Sequence, residues 1–286
     1  MECLIKYVGI CGSDILRLDM GQPVRSLGHE IVVQNATGWY ALNPLITCGR
    51  CKACLSDRTR FCVRLQSFGK DNKGGFHGGL IEPPNSNLLP LETEHPELYV
   101  LSDPLACVLH GLSLLPSRIT GNILVIGDGV IAELMCRILA DRNISVVQVV
   151  KRRRVEVDIK NRTYITKDQL PVAQYRMAIL CVGGNNSQVI NLALSALIPS
   201  GTLLVMGAFH TLEAGLDTKS LLTKEIRLLG SYSFEPSDFK SAVQEVSHNE
   251  AKYQQYITDI FNSELLEQAI VQHRVSNNRL KVVVKF

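Results

Sequence analysis

Four of the chain's nine cysteines fall in one short stretch: Cys48-Gly-Arg-Cys51-Lys-Ala-Cys54, then seven residues, then Cys62. Four thiolates this close can form a tetrahedral shell around one zinc ion. The short spacers force tight turns, and Gly49 eases the first. A shell of four sulfurs leaves no open position, so an ion there orders a loop too small to bury a core of its own and does no chemistry. The alternative is four unrelated buried or redox-active cysteines, and their regular spacing argues against it.

A second set of candidates is scattered. Cys11-Gly-Ser13-Asp14 is followed by Gly28-His29-Glu30, and later by Ser102-Asp103-Pro-Leu-Ala-Cys107. Each has a bland reading on its own: an isolated histidine is commonly structural, and a cysteine in an apolar run is commonly core. Together, Cys11, His29, Glu30 and Asp103 bring one thiolate, one imidazole and carboxylates from separate segments. A catalytic zinc needs such a mixed set, with three protein ligands and one open position.

A third signal is Ile123-Leu-Val-Ile126 running into Gly127-Asp-Gly129-Val130-Ile131-Ala132. This is the G-x-G-x-x-A form of a dinucleotide turn. Gly127 permits the tight bend, Gly129 lets a pyrophosphate approach the backbone, and Ala132 allows close helix–strand packing. Val130 and Ile131 open a helix whose free N–H groups face the phosphates. An acid normally ends the second strand of such a fold and binds the ribose 2′-hydroxyl. Here Val146–Val150 is followed by Lys151-Arg152-Arg153-Arg154. Cations there suit a 2′-phosphate, which favours NADP over NAD; a solvated basic loop beside a relaxed NAD site is the alternative.

The elements that must position these residues fall into three textures. Residues 1–103 are rich in Gly, Pro and Cys, with short apolar runs such as Ile31–Val33 and Tyr40–Leu42, which suits strands and structured loops. Residues 104–251 alternate strand-like runs (Ile123–Ile126, Val146–Val150, Ala178–Val182, Leu203–Met206) with helix candidates Ile131–Leu139 and Gln188–Leu197. That alternation predicts a doubly wound parallel sheet. Residues 252–286 end in the β-rich run Leu280–Phe286. Over 286 residues, 46% hydrophobic content can build full cores without disulfides. A net charge of +3 implies no large basic face for nucleic acid. No apolar run is long enough to span a bilayer, and the first ten residues lack the features of a signal peptide, so a cytoplasmic location with reduced cysteines is expected.

The order Cys-Gly-Ser-Asp, Gly-His-Glu, cysteine lobe, Asp-Pro-Leu-Ala-Cys and glycine-rich turn resembles the zinc-containing medium-chain dehydrogenases, the alcohol and polyol dehydrogenase superfamily. The resemblance spans nearly the whole chain. It implies an α/β protein: a mostly-β GroES-like catalytic domain from residues 1–103 and 252–286, and a Rossmann domain from 104–251. It assigns Cys11, His29 and Asp103 to a catalytic zinc, with Glu30 as a further ligand or one that exchanges with bound water. Cys48, Cys51, Cys54 and Cys62 become a structural site, giving two zinc ions per chain. Ser13 matches a hydroxyl that relays a proton from the substrate oxygen. The two segments Cys181-Val182-Gly-Gly184 and Val205-Met-Gly207 lie where the nicotinamide end would pack, although both also read as ordinary strand-end turns.

Three departures stand out. Asp103 replaces a glutamate of the polyol enzymes and is one methylene shorter. The chain joins the family pattern later than its members usually do, and the stretch from His29 to Cys48 is short, so the catalytic barrel is expected to lack strands and expose an edge.

The resemblance implies an oxidoreductase moving a hydride between NADP or NAD and a secondary alcohol or ketone. A carboxylate-rich zinc shell and 6% aromatic content point to a polyol, sugar, sugar phosphate or aminocyclitol substrate. Family members are commonly homodimers or homotetramers, with a seam at the sheet edge near Leu203–Met206 and Ile226–Ser231. The rival readings are a non-catalytic zinc- and cofactor-binding relative with an incomplete catalytic domain, and a redox sensor built on the cysteine lobe.

Overall fold

The computed structural model describes residues 1–71, 73–116, 121–151, 157–183, 188–207 and 215–286. The chain forms two compact units, Met1–Ala106 with Ser233–Phe286, and Cys107–Tyr232.

The first unit is built on a mixed seven-stranded sheet. Its order is Ile257–Asn262, Lys281–Lys285, Cys3–Gly9, Glu30–Asn35, Gly38–Leu42, Leu88–Leu91, with Leu80–Ile81 also paired to Cys3–Gly9. All neighbours run antiparallel except the first two, which are parallel and joined through the helix Leu266–Val275. Alternate residues of the central strands, Ile5, Val8, Ile31, Val33, Val282 and Val284, are buried in one core. Pro90, which has no N–H to offer, sits on the strand Leu88–Leu91, which among the described residues is paired on one side only. The fold is the GroES-like one the resemblance implies.

Residues 233–251 pack with this unit, whereas sequence texture groups them with the dinucleotide region. The helix Pro236–His248 buries Phe239, Ala242, Val243 and Val246. Just beyond it, Glu250 accepts hydrogen bonds from the hydroxyls of Tyr99 (2.9 Å) and Thr93 (2.5 Å). An amphipathic pattern shows that a helix has an apolar face and says nothing about which core receives it.

The second unit is a six-stranded parallel sheet. In chain order its strands are Ile123–Ile126, Val146–Val149, Arg162–Ile165, Tyr175–Leu180, Leu197–Val205 and Arg227–Gly230, and in space they lie in the Rossmann order 3-2-1-4-5-6. Helices Val130–Asp141 and Gln188–Ala196 correspond to the two predicted from periodicity. The predicted strand Ala178–Val182 ends two residues earlier, at Leu180, and Leu203–Met206 is the latter part of a strand starting at Leu197. Leu197–Val205 is paired on both sides, and among the described residues Arg227–Gly230 ends the sheet on that side. No helix among the described residues is long and apolar enough to cross a membrane.

His273, on the helix Leu266–Val275, is buried, and its pKa is pushed down to about 3 by that burial and by the nearby Arg279 and Lys281 cations, against a smaller opposing pull from Asp14. A base with a depressed folded pKa contributes its full stability above the unfolded value of about 6.5. Below it the unfolded chain takes up a proton that the folded chain refuses, costing about 1.4 kcal/mol per pH unit down to the folded pKa. His273→Leu should therefore lose less stability than the wild type between about pH 7 and pH 5 in urea titrations. Parallel losses in the two proteins would contradict this account.

Candidate functional site

The helix Gly12–Asp19 starts directly after Cys11, and its third residue is Asp14. Asp14 Oδ2 accepts from the Cys11 N–H at 3.0 Å, in the manner of a capping box. Its Oδ1 accepts from the Gly28 N–H at 3.1 Å and lies 3.1 Å from His29 Nδ1. One buried carboxylate thus ties the segment carrying Cys11 to the segment carrying His29, and it fixes the imidazole ring. Burial works against the Asp14 charge, but His29 and the two backbone donors outweigh it and hold the pKa below the ordinary value.

Ligand atoms of Cys11, His29 and Glu30 all lie within 4.8 Å of one another. Asp103 Oδ1 is 3.9 Å from His29 Nε2, the ring nitrogen opposite the one facing Asp14. Asp103 begins no strand; it stands in the first turn of the helix Ser102–Ser113. Its carboxyl is pushed up to about 7 by burial, with Glu30 and Asp14 raising it further and His29 and Lys281 opposing. Burial also disfavours charge on His29, yet Asp14 and, more weakly, Asp103 hold its pKa well above 6.5. A cysteine sulfur, an imidazole and a buried carboxyl group are donor types that fit a zinc ion. Ser13 is exposed, on the same first helical turn as Asp14.

Glu30 is not a freely offered ligand. Both its oxygens lie 2.6 Å from Lys281 Nζ, and the two side chains are about 1% exposed or less. Burial disfavours the Lys281 charge, but Glu30 more than compensates and raises its pKa. The ammonium also donates to the Ile10 carbonyl at 3.3 Å. Gly9, between them in the sheet, is opposite Glu30 on one side and Val283 on the other. A Cβ at Gly9 would meet Glu30 Oε2 at 2.0 Å, so the glycine leaves the space through which the carboxylate reaches Lys281. Sequence reasoning missed Lys281. The available signal was a lone cation opening the otherwise apolar run Lys281-Val-Val-Val284.

The four lobe cysteines also gather, with all sulfurs within 4.8 Å. Cys51 and Cys54 sulfurs are 3.5 Å apart and those of Cys48 and Cys54 4.0 Å, close to the edge of about 3.8 Å expected for a tetrahedron of ~2.3 Å Zn–S bonds. The Cys62 sulfur accepts from the Cys48 and Arg64 N–H groups at 3.3 and 3.4 Å. The Arg50 N–H is the main cause bringing the Cys48 thiol down to about 6, and the Cys54 N–H likewise lowers Cys51. Cys54 is pushed up to about 11 by burial and by its neighbours. The lobe is fastened by Glu235, which accepts from the Thr59 N–H (2.8 Å), the Thr59 hydroxyl (2.6 Å) and the Arg60 guanidinium. No sequence signal marked Glu235, because its partners are 176 and 175 residues away.

In the second unit Gly127 leaves its strand with φ +139°, and a Cβ there would press on the Cys181 carbonyl at 3.3 Å. Gly129 precedes Val130 and Ile131, the first residues of the helix Val130–Asp141. Gly207 lies against Val182, whose carbonyl a Cβ at Gly207 would meet at 1.9 Å. Gly127, Val182 and Gly207 therefore come together at the carboxyl ends of adjacent strands, where parallel sheets bind ligands. Lys151 is exposed beyond the second strand, and its N–H donates to Asp128 Oδ2 at 3.0 Å. Arg152 lies outside the described residues.

No family model matches the chain. The chain is 25% identical to L-galactonate-5-dehydrogenase of Escherichia coli over 309 aligned positions, covering 99% of this chain and 90% of that protein. It is 22% identical to sorbitol dehydrogenase of Halalkalibacterium halodurans, covering 89% and 82%. Its fold matches a zinc-binding dehydrogenase of Sinorhizobium meliloti solved with NADP, with a TM-score of 0.85 at 20% identity over 100% of this chain and 92% of the other.

Replacing Gly9 with alanine should force the Glu30 carboxylate off Lys281 and destabilise the first unit by about 3–5 kcal/mol, the usual cost of breaking a buried ion pair. Chemical denaturation of Gly9→Ala measures this. An unchanged midpoint would mean that the carboxylate does not need that space.

Proposed function

On the premise that this chain is a relative of the zinc-containing medium-chain dehydrogenases, we propose that it is a zinc-dependent oxidoreductase. It transfers a hydride between a nicotinamide dinucleotide and a secondary alcohol or ketone. The observation carrying this reading is the convergence of Cys11, His29 and Glu30 within 4.8 Å, with Asp103 beside His29. A zinc ion there would supply Lewis acidity toward a hydroxyl or carbonyl oxygen, and the nicotinamide would give or take the hydride.

Cys11, His29 and Asp103 are the proposed ligands. Asp14 holds His29 Nδ1, so that Nε2 is the nitrogen left for a metal. Glu30, paired with Lys281, stands beside Cys11 and His29 as a further carboxylate. The Ser13 hydroxyl, exposed on the adjoining helical turn, is the proposed relay of a proton to solvent. The proposed second ion is structural, held by Cys48, Cys51, Cys54 and Cys62. The dinucleotide belongs at Gly127, Gly129, Val130 and Ile131, with Val182 and Gly207 toward the nicotinamide. Lys151, standing where NAD-specific folds place an acid, favours NADP.

A polyol- or sugar-type substrate is supported by the relatives' names and by a third donor that is a carboxylate and not a second thiolate. A homodimer is supported by the open edge strand Arg227–Gly230, where Leu228 is 44% and nearby Tyr232 57% exposed.

In assays with a panel of ketoses and polyols, Cys11→Ser should abolish turnover while still binding NADPH, and Cys54→Ser should chiefly lower thermal stability. Full turnover by Cys11→Ser would remove the basis of the proposed chemistry. Fluorescence titration should show tighter binding of NADPH than NADH; the opposite order would withdraw the 2′-phosphate assignment.

A further inference from the structure

The second unit holds a buried polar network that the proposed chemistry leaves unused. Glu133 and Gln148 are fully buried, and the Arg162 side chain is 3% exposed. Arg162 Nη1 donates to Glu133 Oε2 at 2.6 Å and to Gln148 Oε1 at 3.3 Å. Gln148 Nε2 donates to Glu133 Oε1 at 2.7 Å and to the Gly127 carbonyl at 2.9 Å. The three residues come from three elements: the helix Val130–Asp141, the second strand Val146–Val149 and the edge strand Arg162–Ile165. One end of the network is therefore the backbone of the glycine turn itself.

The other end is at Val157 and Asp158, which precede the third strand. Arg162 Nη2 donates to the Val157 carbonyl, and Arg137 donates to the Asp158 carbonyl. Just past the second strand the Lys151 N–H donates to Asp128, the residue between the two turn glycines. Glu133 and Arg137 are four residues apart, on one face of the helix that the turn opens. A buried charge pair is weak as a source of stability, since an apolar replacement of equal volume holds a sheet as well or better. What this network adds is geometry: through Gln148 it holds the second strand, whose end precedes Lys151, against the turn bearing Gly127.

We propose that Glu133, Gln148 and Arg162 are positioning residues that set the end of the second strand, with Lys151 just beyond it, against the glycine turn and so determine recognition of a ribose 2′-phosphate. The proposal rests on the dinucleotide reading above. None of the three needs to touch the ligand. Their effect should appear in discrimination between ligands with and without that phosphate.

The test is calorimetric titration of the zinc-loaded full chain with 2′,5′-ADP and 5′-AMP, which share adenine, ribose and the 5′-phosphate. The wild type should bind 2′,5′-ADP more tightly. Arg162→Gln should weaken 2′,5′-ADP by about tenfold and 5′-AMP by no more than about twofold, and Arg162→Lys should recover part of the loss. Arg162→Gln removes the Arg162 charge from beside buried Glu133 and risks unfolding. The paired variant Glu133→Gln/Arg162→Gln keeps hydrogen-bonding amides without charge, and it should melt cooperatively yet show the same selective loss. Equal weakening of both ligands in the folded paired variant, or no change in either, overturns the proposal and leaves the network as scaffold. Wild-type protein that binds both ligands equally overturns the role of Lys151 and the proposal with it. Failure of the wild type to bind either would instead overturn the dinucleotide reading on which the proposal stands.

Discussion

A charge buried in a sheet must be answered by an opposite charge, and in this chain that charge comes from the far end of the sequence. Glu30 and Lys281 are 251 residues apart and meet at 2.6 Å across Gly9. Their pairing joins three strands, Cys3–Gly9, Glu30–Asn35 and Lys281–Lys285, each feeding one side of the candidate metal centre. Cys11 follows the first strand and His29 precedes the second. Removing either charge would leave the other desolvated, so the pair fixes the register on which the ligand set depends.

Asp14 does by hydrogen bonding what the ion pair does by charge. It caps the helix that begins after Cys11 and holds His29 from the side opposite Asp103. With Lys281 committed to Glu30, burial raises the Asp103 pKa, while Asp14 holds that of His29 up against burial. The cysteine lobe follows another logic. Its ligands are local, and Glu235 anchors the lobe from the helix Pro236–His248 side of the same unit.

Legibility from sequence followed locality. The lobe could be read from spacing alone, and the dinucleotide turn from one strand, two glycines and a helix. The strands Ile123–Ile126 and Val146–Val149 showed as short apolar runs because parallel strands are covered on both faces. Cys11, His29 and Asp103 could be grouped by donor type, but only the family resemblance assigned them to one site, since nothing local links them. Asp14 was visible in the same motif but had no role until its oxygens were seen to reach both Cys11 and Gly28. Lys281 left only the faint signal of a lone cation in an apolar run, and Glu235 and the Glu133–Gln148–Arg162 network left none, because long-range pairing decides them. The helix Pro236–His248 showed periodicity but not which core it would join.

The central claim is that Cys11, His29 and Asp103 hold a second metal of a different kind from the lobe's. Zinc-edge X-ray absorption on wild-type protein and on Cys11→Ser tests it most directly. The account predicts wild-type spectra combining a four-sulfur site with a site of mixed sulfur, nitrogen and oxygen ligands, and a Cys11→Ser spectrum of sulfur ligands alone. A wild-type spectrum already limited to four sulfurs, unchanged in Cys11→Ser, would contradict it.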